Sequence, residues 1–208
     1  MSKMDNMKIA PRYTTEGGWY TVRDWKNLNI KDSQNTDWET AVDIFHSRIL
    51  SRFIEPADIL LKSRGKAVGF AVLSLDFIVI ETIQGFIEGK LDRDDSSGPF
   101  KRFLTSAIEF REVIRSEGFA GCVYGAFRCG ISHQGQTDGN FRVLTTGEMV
   151  QKISAGPRPD IAINRTLFHK AVKEAFERYC KELREGKKAV LRKKFFTKMN
   201  AVCGVGAA

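Results

Sequence analysis

The chain is poor in the residues that build metal sites and disulfides. It has only three histidines, at positions 46, 133 and 169, and four cysteines among 208 residues. The cysteines form no C-x-x-C pair and no spacing typical of a zinc site. No H-E-x-x-H segment, no glycine-rich phosphate loop with lysine and no pair of catalytic acids occurs. The sequence therefore predicts no metal and no cofactor, and its cysteines are expected to be reduced thiols.

The sequence also lacks a recognisable targeting segment. Its first 18 residues, MSKMDNMKIAPRYTTEGG, contain no apolar stretch of the kind found in a cleavable signal. A hydrophobic share of 42% and 15 phenylalanines supply enough apolar surface for one domain. We expect a cytoplasmic protein in three segments: an irregular extension over residues 1–35, a helical domain over 36–186 and a basic tail over 187–208.

One long apolar segment raises the question of a membrane span. Residues 65–90 are apolar almost all round. Their most apolar part, 67–80, has only 14 residues and already contains Asp76. Extending it to the roughly 20 residues that a bilayer requires takes in Glu81 as well. Each acid near mid-membrane costs about 2.5–3.5 kcal/mol. The segment is therefore predicted to be a buried helix of a soluble protein, with no membrane partner.

Apolar periodicity predicts further helices around this one. A capping box, Thr36 with Glu39, begins a helix that Pro56 should end or kink. Further helices are expected over residues 100–118, about 120–131 and 167–186. Between the last two, turn signals at 138–139 and 146–147 flank short β-branched runs, which indicates a small β-hairpin. The fold class predicted is mainly α, with one hairpin insert.

Positive charge is concentrated near the carboxyl end. Of the net charge of +8, a net of +6 lies between positions 181 and 198, where eight basic residues stand against two acidic ones. Clustered cations bind polyanions through counterion release, so RNA is the expected partner. A solvated charged helix explains the same pattern equally well, and a membrane-surface role is a further alternative, supported only by Phe195 and Phe196. The predicted nucleic-acid-binding residues are Lys187, Lys188, Arg192, Lys193 and Lys194.

An arginine and a histidine stand five residues apart at the end of the fourth predicted helix. Arg128 can hold a phosphate through its fork of donors, and His133 can take or give a proton near neutral pH. Together they could cleave RNA without a metal, because the neighbouring 2′-hydroxyl supplies the nucleophile. A helix-capping histidine beside a surface arginine is the alternative explanation of this pair.

The segments GFAVLSLDFIVIETIQGF and YGAFRCGISHQGQT resemble the HEPN family (higher eukaryotes and prokaryotes nucleotide-binding), over roughly residues 37–185. The resemblance implies an up-and-down helical bundle that forms a homodimer and brings two R-x4-H motifs into one cleft. It also implies metal-independent endoribonuclease activity in a toxin–antitoxin or defence system, with an antitoxin or another partner protein. Arg128 and His133 would then be catalytic. Other members of the family only bind RNA or protein, and that is the alternative function.

Several residues near this motif are predicted to support it. Active HEPN members often carry a polar residue after the arginine, whereas this chain has Cys129, a weak hydrogen-bond donor. Ser132 could partly compensate, and the buried Glu81 could hold Arg128, or another basic residue, in place. The other two histidines are predicted to have no chemical role, one at the edge of the core (position 46) and one on the polar side of its helix (position 169).

Overall fold

The computed structural model describes residues 4–30, 36–63, 68–89, 97–131, 141–156 and 159–205. They are mainly helical, which confirms the predicted class. They pack as two compact units. The terminal unit comprises Met1–Arg52, Gly85–Leu91 and Glu177–Ala208, and the central unit comprises Phe53–Gln84 and Asp92–Phe176. This division differs from the three consecutive segments expected, because both ends of the chain belong to one unit.

The amino-terminal residues of the terminal unit are ordered rather than irregular, which corrects the expectation for 1–35. Strands β1 (Lys8–Pro11) and β2 (Trp19–Thr21) pair antiparallel, and helix α1 (Val22–Lys26) follows directly. Thr21 and Asp24 form a reciprocal capping box that begins α1. The segment is held in place by four buried apolar side chains, those of Ile9, Ala10, Val22 and Trp25.

The predicted basic tail is a helix of the terminal unit. Helix α2 (Thr36–Ile49) and the carboxyl-terminal helix α8 (Ala189–Val202) both contribute rings to its core. The Phe45 centroid lies 5.6 Å from that of Phe195. Three fully buried residues at four-residue spacing give α8 an apolar face that seals it onto this unit, namely Phe195, Met199 and Cys203.

The first long helix, α2, ends at Ile49, before Pro56 is reached. The chain passes from α2 through a π-helical turn, Leu50–Ile54, into helix α3 (Glu55–Lys62). Pro56 lies in the first turn of α3, where no backbone donor is required, so the proline is accommodated without a break.

The long apolar helix α4 (Gly69–Glu88) begins in the central unit. By length and composition alone it could cross a membrane. Its most apolar 18 residues have a mean hydropathy of 1.8, and half of them are buried inside the protein. Core helices pass the same test. Asp76, near its middle, is 1% exposed, and Phe77 beside it packs edge-on against Phe100 and Phe168.

The third predicted helix is interrupted. Helix α5 (Ser97–Ser106) gives way to turns over 107–113, in which the Phe110 amide bonds to the Ala107 carbonyl. A new helix, α6 (Glu117–Val123), then begins, because the Ser116 side chain accepts from the amide of Phe119. The chain continues as a π-helical segment, Tyr124–Cys129. Burial of the apolar stripe at 103, 107, 110 and 114 is nonetheless as the periodicity indicated.

The expected hairpin is replaced by a three-stranded sheet. Strands β3 (Arg142–Leu144) and β4 (Val150–Lys152) do not pair with each other, because each pairs with β5 (Ile161–Asn164), β3 parallel and β4 antiparallel. The four residues of β5 are all buried, so the central position goes to the most apolar strand. Asn164 then caps helix α7 (Arg165–Glu185), its side-chain oxygen accepting from the amides of Thr166 and Leu167.

Candidate active site around Arg128

Arg128 and Glu81 form a two-point ion pair within the central unit. Arg128 Nε lies 2.8 Å from Glu81 Oε1, and Nη2 lies 3.4 Å from Oε2. The side chains are 24% and 20% exposed respectively, so the pair is half-buried. A carboxylate that contacts two nitrogens of the guanidinium group in this way fixes the plane of that group as well as its position. The pairing of Glu81 with Arg128, one of the partners expected from the sequence, is present.

The local fold explains where Arg128 points. It lies in the π-helical segment, and such segments occur frequently at functional sites. Phe127, one residue earlier, is fully buried and packs edge-on against Phe141 at 5.5 Å. An anchored aromatic ring on one side of the turn leaves the next side chain directed away from it. Arg128 thus reaches Glu81 on α4.

The rest of the predicted motif is described only in part. His133 and Ser132 lie outside the residues that the structure describes, as does the side chain of Cys129, whose backbone ends the π-helical segment. Glu81 is therefore the only predicted neighbour of Arg128 for which a contact is measured.

The five predicted nucleic-acid-binding residues have different environments. Lys188 and Lys187 are exposed, at 2.7 Å from Glu182 and 3.5 Å from Glu185. Arg192 is half-buried over the Trp38 ring, 4.7 Å from its centroid. The stem of Lys194 packs against Gly89, whereas Lys193 is exposed. A shared nucleic-acid-binding role remains a prediction for these five residues.

A buried histidine network was not predicted. His169, expected on the polar side of its helix, is 3% exposed, and that expectation is wrong. Its Nδ1 lies 2.7 Å from Oδ1 of Asp76, and its Nε2 lies 3.3 Å from Oδ1 of Asp58. Lys173 Nζ lies 2.6 Å from the other oxygen of Asp58. The signal was available, because residue 169 shares a helical face with the buried Val172 and Phe176.

The charges in this network depend on one another. Burial raises the pKa of Asp76 to about 6, against the hydrogen bond and charge of His169, which lower it. For His169, burial lowers the pKa, but the bonds and charges of Asp76 and Asp58 outweigh it and the net shift is upward. Burial also acts to raise the pKa of Asp58, yet Lys173 and His169 bring it below its usual value. These shifts favour the charged forms of His169 and Asp58, whereas burial disfavours the charged form of Asp76.

The histidine network is suited to holding helices together rather than to chemistry on a ligand. Both ring nitrogens of His169 are engaged by carboxylates, and the ring is almost inaccessible to solvent. Within the described ranges, no group of three or more histidine, cysteine, aspartate or glutamate side chains could hold a metal ion. The network contacts α3, α4 and α7, so it ties three helices of the central unit at one point.

Comparison with known proteins gives no family for this chain: no protein-family model, no curated protein and no solved structure matches it.

Proposed function

We propose that the protein is RNA-directed and acts as a metal-independent endoribonuclease with Arg128 and His133 as its catalytic residues. The observation that carries the proposal is the two-point ion pair between Arg128 and Glu81, at 2.8 and 3.4 Å. A phosphate-binding arginine has to be held in one orientation to stabilise a transition state, and Glu81 supplies that restraint. The net charge of +8 favours approach of a polyanion.

The chemistry follows from the two side chains and the substrate. His133 takes the proton of a ribose 2′-hydroxyl, whose oxygen attacks the adjacent phosphorus while Arg128 stabilises the charge on the phosphoryl oxygens. The bond to the 5′-oxygen breaks, and His133, now protonated, returns the proton to that leaving oxygen. The products are a 2′,3′-cyclic phosphate end and a 5′-hydroxyl end.

A homodimer belongs to the same proposal, since a second copy would place two sets of Arg128 and His133 in one cleft. Apolar residues on the exposed side of α4 support a contact between copies, because Phe70 and Ile78 are 37% and 38% exposed and lie two turns apart. A partner protein such as an antitoxin could cover the same surface. We place the protein in the cytoplasm, without a membrane partner.

A second function, a non-catalytic module that binds RNA or protein, is favoured by the same ion pair in one respect. Glu81 neutralises part of the charge of Arg128, and a phosphate has to compete with that carboxylate. Cys129 also favours this second function. A thiol donates only a weak hydrogen bond, whereas active members of the HEPN family, which the sequence resembles, often carry an amide at this position.

The test is cleavage of a labelled mixed-sequence RNA in EDTA by the parent protein and by Arg128→Ala and His133→Ala. The matched control is His46→Ala, because His46 pairs with Glu177 in the terminal unit and has no part in the proposed chemistry. Cleavage by the parent and the control, with cyclic phosphate ends, supports the nuclease. If both motif variants cleave as well as the parent, the assignment is wrong; salt-sensitive binding without cleavage by any of the four proteins supports the binding module.

A further inference from the structure

A cavity in the terminal unit lies beside the basic helix α8. Its volume is about 440 Å³, within the range of pockets that bind small molecules or single groups of a polymer. Its walls are largely apolar and include Leu28, Ile30, Trp38 and Phe196. Phe196 is 39% exposed, so an aromatic ring is presented at the cavity rather than buried beneath it.

The aromatic wall is held in a defined position. The Phe196 ring lies 6.0 Å from the ring of Trp25, tilted by 35°. Trp25 in turn donates its indole N–H to Asn200 Oδ1 at 2.8 Å. A ring supported from behind in this way can accept another flat ring on its open side without losing much side-chain freedom.

Both charged side chains of the cavity lining are cations. Arg192 lies over the Trp38 ring at 4.7 Å, and Lys193 is exposed next to it. No aspartate or glutamate is present among the described residues that line the cavity. Lys188, one turn before Arg192, is exposed as well and lies 2.7 Å from Glu182, with which a phosphate would have to compete. The cations therefore continue along the helix beyond the cavity, which suits a chain of phosphates better than a single carboxylate.

We infer that this cavity binds one base of a single-stranded RNA. The base stacks on Phe196 inside the apolar walls, and the flanking phosphates contact Lys193 and Lys188. Aromatic rings interleaved with cations are how proteins hold single strands without reading a sequence. A duplex would be excluded, because its bases are already stacked and paired. The inference rests on the proposed function only in taking RNA as the partner.

The experiment measures binding by fluorescence anisotropy with a 12-nucleotide, 2′-O-methyl RNA of mixed sequence. Methylation removes the nucleophile, so binding is measured apart from cleavage. The parent protein should prefer the single strand to the same strand annealed to its complement. Phe196→Ala should weaken single-strand binding by roughly tenfold, because stacking on one base has about that value. Lys193→Ala should lower the slope of log affinity against log salt by about 0.7 for one lost phosphate contact.

Two control variants separate the cavity from general effects of the helix. Val190→Ala removes a residue that is 69% exposed on the same helix but does not line the cavity, and it should bind as the parent does. Phe196→Tyr keeps a stacking ring and should restore affinity, even if Phe196→Ala loses stability in a thermal melt.

The outcomes of this experiment and of the cleavage assay are independent. Binding that depends on Phe196, without cleavage by the parent, removes the nuclease and retains the cavity site. Cleavage with unchanged binding in both the Phe196→Ala and Lys193→Ala variants overturns the cavity site alone. Equal affinity for single strand and duplex overturns it too.

Discussion

The ring of His169 bonds through Nδ1 to Oδ1 of Asp76 across 2.7 Å, and the two residues are 3% and 1% exposed. This contact joins two helices whose paired residues are 93 positions apart in the chain. A buried carboxylate has a high free energy unless a cation or donors accompany it. Asp76 has such a partner in His169, and its second oxygen, Oδ2, has no hydrogen-bond partner among the described residues. The stability of the central unit should therefore depend strongly on the histidine.

Replacing His169 by alanine should lower the free energy of unfolding by about 1–3 kcal/mol, because it leaves the Asp76 carboxyl without its hydrogen-bond partner in the core. Urea denaturation followed by circular dichroism measures this change. His46→Ala is the control, since the ion pair of His46 with Glu177 is 21% and 48% exposed and should contribute only about 0–1 kcal/mol.

The double variant Asp76→Leu/His169→Leu should cost much less than the two single changes added together, because it removes the buried charge along with its partner. Additive single losses would mean that the two side chains stabilise the unit independently, which the 2.7 Å contact argues against.

The same contact predicts a pH dependence of stability. The pKa of His169 is raised above its usual value, so its contribution is complete below the unfolded pKa of about 6.5 and is lost as the pH rises through the folded pKa. The pKa of Asp76 is raised to about 6. Its contribution to stability therefore also falls as the pH rises, but over a lower range, between about 3.8 and 6. Asp58, whose pKa is lowered, contributes stability above about 3.8 and loses it in acid.

The difference in unfolding free energy between the parent and His169→Gln should therefore shrink as the pH is raised from about 6 to 8.5. Urea titrations at several pH values measure it, and the subtraction removes the titrating groups that do not interact with His169. A difference that grows over this range would reverse the sign and show that His169 is buried in its neutral form.

Glu81→Gln distinguishes the two functions considered for Arg128. If Glu81 orients Arg128 for catalysis, its loss should lower kcat by roughly 10- to 100-fold, since misplacing a group by about an ångström has an effect of that size. RNA binding should change little. If Glu81 only neutralises Arg128, the variant should bind RNA more tightly at low salt, and no loss of cleavage should follow. Single-turnover cleavage and anisotropy on the same preparations give both quantities.

The parts of the fold that sequence predicted well are those set by local pattern. The apolar periodicity placed α2, α4 and α7, and the burial of Asp76 was expected because acids within an apolar helix must be accommodated. The contact of Glu81 with Arg128 could be named as one option because a buried acid has to be paired with a basic residue.

The failures involve tertiary contacts between distant segments. The helical face that His169 shares with Val172 and Phe176 indicates its burial, but its partners Asp76 and Asp58 lie 93 and 111 positions away in the chain. Likewise, β3 and β4 carry the signals of a hairpin, but the more apolar β5 takes the central position between them. Neither the partners of His169 nor the pairing of β3 and β4 with β5 can be predicted from residues close in the chain.

We predict that Gly89 is required for the close packing of Lys194, in α8, against the residue that follows α4. Its φ is +67°, and a Cβ built there would lie 3.0 Å from Cβ of Lys194 and 3.3 Å from its Cα. Gly89→Ala should lower the free energy of unfolding by about 1–2 kcal/mol from the left-handed backbone alone, with a further loss from the close contact to backbone. Gly118→Ala is the matched control, because Gly118 lies in α6 with nothing within 4 Å of its Cβ position, and it should stabilise by up to about 1 kcal/mol. Thermal and urea unfolding of both variants measure the two changes, and an equal effect of the two substitutions would contradict the packing described for Lys194.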